Sequence, residues 1–286
     1  MLVGEVMKKY VDRLTPVLGA EEAASVGHLV FEELLHMRRI DVVLRRSDPL
    51  SHEHQVQLME LLERLLRHEP VQYVLGKAHF LGREFLVDRS VLIPRPETEE
   101  LVLWMLDCLS ARPVGSLIDM GTGTGCIPIT FSLECPGWAV HALDISDSAL
   151  EVARSNAIRF AADVHFHKGD MTADPASHGF KPGQFACVVS NPPYIPTTEK
   201  ATLDPRVRDY EPSLALFAPE SDPLWYYRNL SKVSGYLLSE GGFLFLEVHA
   251  SYADATAKLL ERDGWRDLIV RNDIHGKERM IRCTRP

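Results

Sequence analysis

The sequence lacks a surplus of positive charge, a cysteine pattern and any long apolar run. Lys plus Arg number 31 against 40 Asp plus Glu, a formal net charge of −9. A surface that neutralises many phosphates carries a basic excess, so this balance argues against nucleic acid as the principal partner. The five cysteines (Cys108, Cys126, Cys135, Cys187 and Cys283) are odd in number and form no C-x-x-C pair. That argues against a disulfide framework or a zinc site and fits reduced thiols in a cytoplasm. No metal site is expected, since the histidines of His52-Glu53-His54 splay apart on a helix. Nowhere do 18 apolar residues follow one another, and the opening MLVGEVMKKY lacks a basic region followed by a long apolar stretch. Neither export nor membrane spanning is therefore expected. What is present is a chain of 286 residues, 45% hydrophobic and 25% charged, with the composition of a globular protein and the length of about two domains.

Through Leu75 the apolar residues recur at helical spacing, as in Val26, Leu29, Val30, Leu34 and Met37, and again in Leu58, Leu61, Leu62 and Leu65. This spacing predicts a bundle of about four helices over residues 1–76. Asp48 before Pro49 reads as the start of one helix and Glu69-Pro70 as its end. The alternation of Phe80, Gly82, Phe85 and Val87 predicts a β-hairpin turning at Gly82, so residues 77–96 read as a linker. Two prolines then flank Arg95, and a helix is expected from about Glu97 to Ser110. From Ser116 onward, short apolar runs alternate with helical patterns, the signature of strand and crossover-helix units. Strands are expected near 116–119, 138–143, 163–167, 185–190, 242–248, 266–271 and 278–283. The gap from Asn272 to Lys277 is too short for a crossover helix, so the last strand should run antiparallel. The expected fold class is α/β: a Rossmann-like, mostly parallel sheet over residues 97–286 behind a small all-helical domain.

The first strand of that sheet leads into Asp119-Met-Gly121-Thr-Gly123-Thr-Gly125. Alternate glycines permit positive φ and let a ligand approach the backbone at the carboxyl end of a strand. A glycine cluster can also be a tight turn and nothing more. A dinucleotide fingerprint would need a small residue at 126, where Cys126 stands. Asp144 closes the second strand and Asp170 the third. The first can accept from ribose hydroxyls and the second from an exocyclic adenine amine. Asp119 can face an ammonium group, which a pyrophosphate ligand does not offer. The three acids together suit cationic S-adenosylmethionine better than an anionic dinucleotide. A single strand-end Asp is often only a helix cap, but Ser146, Asp147 and Ser148 are better placed for that task.

At the end of the fourth strand stands Asn191-Pro192-Pro193-Tyr194. An amide or aromatic amine nitrogen delocalises its lone pair and is a poor nucleophile, yet it carries two hydrogens that can be held. The Asn191 side-chain oxygen and the Pro192 carbonyl can each accept one, which aims the lone pair at a methyl group. The prolines fix the carbonyl direction, and Tyr194 offers a flat face to a planar amide or base. No strong base is needed. Positioning the nitrogen within about 3–3.5 Å of the methyl carbon carries most of the catalysis.

With these residues in place, the chain resembles the HemK/PrmC family, the release factor glutamine N5-methyltransferases. The resemblance runs through Tyr73-Val-Leu-Gly76, Phe80-Leu-Gly82-Arg-Glu-Phe85, Val91-Leu-Ile-Pro-Arg-Pro-Glu-Thr-Glu99, the glycine loop, Asn191-Pro-Pro-Tyr194 and Tyr210-Glu-Pro212. It implies that Asp119, Gly121, Thr122, Gly123, Thr124, Gly125, Asp144, Ile145, Asp170, Met171 and Asn191 line an S-adenosylmethionine site. It implies catalytic roles for Asn191, Pro192 and Tyr194, and substrate contacts from these, Pro193, Arg95 and Glu97. The implied substrate is the glutamine of the Gly-Gly-Gln loop of peptide chain release factors, with a monomeric cytoplasmic enzyme and no direct nucleic-acid partner. Two departures stand out: Met171 occupies a position often aromatic in this family, and Ala218 to Pro223 replaces a more glycine-rich run.

The rival is an adenine N6-methyltransferase acting on DNA or RNA, since an exocyclic amine presents the same two hydrogens. Residues 1–75 hold 9 Lys plus Arg against 12 Asp plus Glu, which favours a protein partner. A helical adaptor carrying a degenerate nucleotide fold is the non-enzymatic alternative, and the intact Asn191 and glycines speak against it.

Overall fold

The structure is a computed structural model that describes residues 1–110, 114–219 and 222–286. The chain divides into two compact units, Met1–Gly76 with Asp204–Tyr210, and Lys77–Leu203 with Glu211–Pro286. The first unit contains α1 (Val3–Leu18), α2 (Ala20–Leu35), α3 (Arg39–Leu44), α4 (His52–Leu66) and α5 (Val71–Leu75). Residues 1–76 thus form five helices where about four were expected, because α3 and α5 are too short to show an apolar period. Val6, Tyr10, Leu14, Phe31, Leu58 and Leu62 form its core, with the Tyr10 and Phe31 rings edge to face at 5.7 Å. The Tyr10 hydroxyl donates to the Leu58 carbonyl inside that core.

The start of α4 corrects the reading of Asp48. Ser51 caps the helix, its hydroxyl accepting from the His54 amide at 3.1 Å. Asp48 turns instead to Arg45 at 2.9 Å, and Pro49 pairs with Leu2 in an isolated bridge. The helix also stops earlier than Glu69-Pro70. The backbone turns left-handed at His68, and Glu69 folds back onto Arg64 at 2.8 Å.

The second unit opens with the hairpin β1 (Lys77–Phe80) and β2 (Arg83–Leu86), turned through Leu81 and Gly82, both at positive φ. This hairpin is not a free linker, since Phe80 and Phe85 are fully buried in the core of this unit. There follow α6 (Pro96–Leu109), β3 (Gly115–Met120), α7 (Cys126–Glu134), β4 (Trp138–Asp144), α8 (Asp147–Phe160), β5 (His165–Lys168) and β6 (Phe185–Ser190). The chain then forms β7 (Ile195–Pro196), returns to the first unit in α9 (Pro205–Tyr210), and continues through α10 (Ser213–Leu216) and β8 (Phe217–Ala218). It ends in α11 (Trp225–Leu237), β9 (Leu238–Glu247), α12 (Ala253–Arg262), β10 (Arg266–Asn272) and β11 (Glu278–Thr284). Glu220 and Ser221, part of the departing run after the Glu-Pro motif, lie outside the described residues.

Seven strands form one sheet in the order β10-β11-β9-β6-β3-β4-β5. The five from β9 to β5 are parallel, and β11 runs antiparallel to both β9 and β10, as the short Asn272–Lys277 connection requires. Strand alternation splits the apolar residues between two faces. Leu117, Cys187, Val189 and Phe245 face the layer of α6 and α7, while Ile118, Val188, Leu244 and Leu246 face α11 and α12. The order reverses between β3 and β6, and a crevice opens at the carboxyl ends of strands at such a reversal. Asp119 and Asn191 stand on either side of it. All five cysteines are free, and burial pushes the Cys126 thiol up to about 12.

Candidate active site

A cavity of about 390 Å³ opens at the switch between β3 and β6. Its wall includes the glycine loop from Gly121 to Thr124, Asp144 and Ile145 after β4, Asp170 and Met171 after β5, and Asn191 and Pro193 after β6. Four separate strand ends thus converge as their spacing in the sequence predicted.

The glycine loop is held by the strand beside it. The amides of Gly121 and Thr122 both donate to the Leu143 carbonyl, at 2.9 and 3.0 Å. Gly121 has φ 86°, and a Cβ there would stand 2.6 Å from the Met171 Cε, so the methionine packs where any larger residue would sit. Gly125, at φ 77°, begins α7 and lies under Ile129 and Ala153.

Each acid keeps part of its accepting capacity. Asp144 takes the Gly123 amide on Oδ2 at 2.8 Å and the Ser146 amide on Oδ1 at 2.9 Å. A carboxylate oxygen has two lone pairs, so both atoms retain one for a hydroxyl donor. Ser146, not Asp144, caps α8 by accepting from the Ala149 amide at 3.2 Å. Burial nonetheless pushes the Asp144 carboxyl up, against these amide bonds. Asp170 accepts both the Thr172 amide and hydroxyl on Oδ1, at 2.8 and 2.7 Å, which leaves Oδ2 for an amine. Trp225 and Tyr226 share the cavity wall and supply aromatic faces that Met171 does not.

Asp119 is fully buried and lies behind the glycine loop rather than on the cavity wall. Neither of its oxygens has a hydrogen-bond partner of good geometry. Burial, only partly opposed by the nearby Thr122 hydroxyl and reinforced by the charge of Asp144, pushes its carboxyl up to about 7. An orphaned buried carboxylate is costly, and a cation close by relieves that cost. Arg95 is the one cationic side chain on the wall among the described residues, and Glu211 binds it at 2.6 and 2.8 Å. A wall with two carboxylates, a third behind it and its only cation committed fits a cationic nucleoside with an amino-acid tail.

Asn191 lies at the opposite side of the loop. Its Nδ2 donates to the Thr98 hydroxyl at 3.1 Å. Thr98 in turn donates to Glu247 Oε2 at 2.6 Å, and the Tyr194 hydroxyl donates to Glu247 Oε1 at 3.1 Å. The Asn191 oxygen is left as the free end of the carboxamide. Tyr194 and Pro192 are absent from the cavity wall. Tyr194 turns its hydroxyl to the buried Glu247 and sets its ring edge to face against His249 at 5.8 Å. Burial and the charge of Glu247 keep its phenol well above the ordinary value. Glu97 does not line the cavity either; its charge faces Glu247.

Sequence reasoning missed Thr98, Glu247 and Glu211, together with the aromatic pair Trp225 and Tyr226. Glu247 closes strand β9, so the signal that singled out Asp119 and Asp144, an acid at a strand end, was present there too.

Known sequences and folds agree with this geometry. The PrmC N-terminal domain profile matches residues 5–76, and the methyltransferase small domain profile matches residues 102–204. The release factor glutamine methyltransferase of Bacteroides thetaiotaomicron is 37% identical, over 95% of this chain and 96% of its own length. That of Flavobacterium psychrophilum is 33% identical over 99% of both chains. This chain belongs to the release factor glutamine methyltransferase family. Its fold is also that of a methyltransferase from Pyrococcus furiosus, with TM-score 0.51 at 14% identity over 82% of this chain and 98% of that one. Members of the family use S-adenosylmethionine, the cofactor that the three strand-end acids called for, and the chain is a methyltransferase.

Proposed function

We propose that this chain transfers a methyl group from S-adenosylmethionine to the side-chain amide nitrogen, N5, of the glutamine in the Gly-Gly-Gln motif of peptide chain release factors. The relatives that span it end to end carry the name release factor glutamine methyltransferase. The observation that carries the chemistry is the Asn191 carboxamide. It stands at the cavity with its nitrogen already committed to Thr98 and its oxygen free to accept an N–H.

The bound cofactor supplies an electrophilic methyl group. Asp144 would accept from its ribose, Asp170 from its adenine amine, and the ionised form of Asp119 would balance its positive charge. Asn191 Oδ1 would take one hydrogen of the glutamine amide, and the carbonyl of Pro192, a residue beside the cavity wall rather than on it, would take the other once the substrate is in place. Holding both turns the nitrogen lone pair out of conjugation and fixes its direction, which is catalysis by placement and preorganised acceptors rather than by a strong base. Pro193 walls the cavity beside Asn191, and Tyr194 supports the turn from behind through Glu247. Arg95 holds the cavity's rim through Glu211. Among the described residues no helix is long and apolar enough to cross a membrane, and we place the reaction in the cytoplasm, on a monomeric enzyme.

The test is incubation with labelled S-adenosylmethionine and either a release factor or duplex DNA, followed by mass spectrometry of the products. A single methylene increment on a release factor glutamine is expected. Label on an adenine, with none on the protein, would replace this reading with that of a nucleic-acid methyltransferase.

A further inference from the structure

We propose that Glu247 and Thr98 form a positioning relay that fixes which end of the Asn191 carboxamide meets the substrate. The inference rests on the reading that Asn191 grips a glutamine amide, and it concerns how that grip acquires its direction. A carboxamide is nearly symmetric in shape but not in chemistry. Its oxygen accepts, its nitrogen donates, and only the oxygen can hold an N–H of the incoming amide. If Asn191 turned over, two NH2 groups would face each other and neither would have an acceptor.

The relay removes that choice. A hydroxyl has one hydrogen, and Thr98 gives it to Glu247 Oε2 at 2.6 Å. What Thr98 then offers to Asn191 is a lone pair, so only the Asn191 nitrogen can bond to it, as found at 3.1 Å. Glu247 is kept in place by the Tyr194 hydroxyl on its other oxygen at 3.1 Å. An ionised carboxylate accepts and never donates, so its charge state sets the direction of the whole chain. The three residues come from the start of α6, the end of β6 and the end of β9. All three are sited by backbone: α6 packs on this face of the sheet, and Ser190 beside Leu246 fixes the strand register.

The groups facing Glu247 are Glu97 on α6, Cys126 on α7, Tyr194 after β6, Tyr227 on α11 and Arg279 on β11. Burial, helped by the charge of Glu97 and opposed by the Thr98 and Tyr194 bonds and by Arg279, pushes the Glu247 carboxyl up to about 7. Cys126, Tyr194 and Tyr227 are all pushed further above their ordinary values and stay neutral. Protonated Glu247 can donate to Thr98, which frees the Thr98 hydrogen to turn toward Asn191 and reverse the carboxamide. Turnover should therefore rise as pH increases through 7.

Two measurements on the full chain test the relay. The first needs no substrate: proton exchange at the side-chain NH2 of Asn191, followed by nitrogen-15 NMR. One hydrogen should be protected in the parent protein, and the protection should disappear in Thr98→Val and weaken in Glu247→Gln. The second is turnover on a release factor with S-adenosylmethionine. Thr98→Val should lower kcat on the order of tenfold or more with cofactor affinity unchanged, and Thr98→Ser, which keeps the hydroxyl, should restore most of it. Glu247→Gln should lower kcat and flatten the rise through pH 7. In an Asn191→Ala background neither change should cost more, because both act through the missing carboxamide. An unprotected Asn191 NH2 in the parent protein overturns the relay. So does a Thr98→Val or Glu247→Gln loss as large without Asn191 as with it. A protected NH2 together with an unlabelled release factor leaves the relay standing and removes the substrate reading instead.

Discussion

Arg95 and Glu211 are joined across 116 residues of sequence, one guanidinium nitrogen donating to both carboxylate oxygens at 2.6 and 2.8 Å. The acid side chain is 1% exposed and the arginine 32%. Burial alone would push the Glu211 carboxyl up, and Arg95 opposes it. Removing the arginine strands a buried charge. Arg95→Ala is expected to destabilise the protein by about 2 kcal/mol, less than a fully buried pair because the arginine is a third open to water. For a domain of this size that lowers the melting temperature by roughly 4–8 °C, measurable by calorimetry. An unchanged melting temperature would show that Glu211 finds another partner.

Asn191→Ala is expected to lower kcat roughly 10²-fold or more, the scale seen when one preorganised polar group is removed from a reacting centre. Cofactor affinity should change little. Steady-state kinetics on a release factor, with calorimetry for the cofactor, separates the two. Parental turnover in this variant would remove the carboxamide from the mechanism.

Asp144→Ala should act oppositely, weakening S-adenosylmethionine binding by about 1.5–3 kcal/mol, the range for hydrogen bonds to a charged group. The same carboxylate anchors the Gly123 amide at 2.8 Å, so the loss combines ribose contact with loop order. Asp144→Asn, which can still accept from Gly123, separates these contributions: an affinity equal to that of the alanine variant would assign the effect to the ribose.

The buried Asp119 is expected to make cofactor binding depend on pH. Its carboxyl titrates at about 7 in the protein, above its ordinary value. A cationic ligand favours the ionised form and lowers that value, so binding releases a proton and affinity rises with pH. From pH 6 to pH 8 the increase should be about tenfold, with about half a proton released per mole at pH 7. For folding the sign is reversed. Between about pH 4 and pH 7 the folded state holds protons on Asp119 and Glu247 that the unfolded chain has lost, so these two groups lower stability as pH rises through that window. Calorimetry in buffers of different ionisation enthalpy reads the proton release, and Asp119→Asn should abolish the slope.

The sheet and its converging strand ends were legible because each leaves a local mark. The Gly121–Gly125 turn, the acids after β4 and β5, and Asn191-Pro-Pro-Tyr194 are contiguous signals, and the short Asn272–Lys277 gap dictates an antiparallel last strand. Thr98 carries no such mark. It looks like an ordinary residue in the first turn of α6, and only the packing of that helix on the sheet brings it to Asn191 and Glu247. The inward bond of the Tyr194 hydroxyl carries no mark either, since its acceptor is an acid 53 residues away. Asp48 reads as a cap because a proline follows it, but Pro49 pairs with Leu2 in an isolated bridge and the cap falls to Ser51.

The helical unit is assembled from two separated stretches of chain, since Asp204–Tyr210 belongs with Met1–Gly76. Within it Arg206 pairs with Glu22, and the Tyr210 hydroxyl donates to the Arg67 carbonyl at 2.5 Å. A ribosome that has synthesised only the first 76 residues has therefore not yet supplied every piece of this bundle. Its last helix arrives after Asn191-Pro192-Pro193-Tyr194 has been made, so the bundle is completed only once that tetrapeptide has left the exit tunnel.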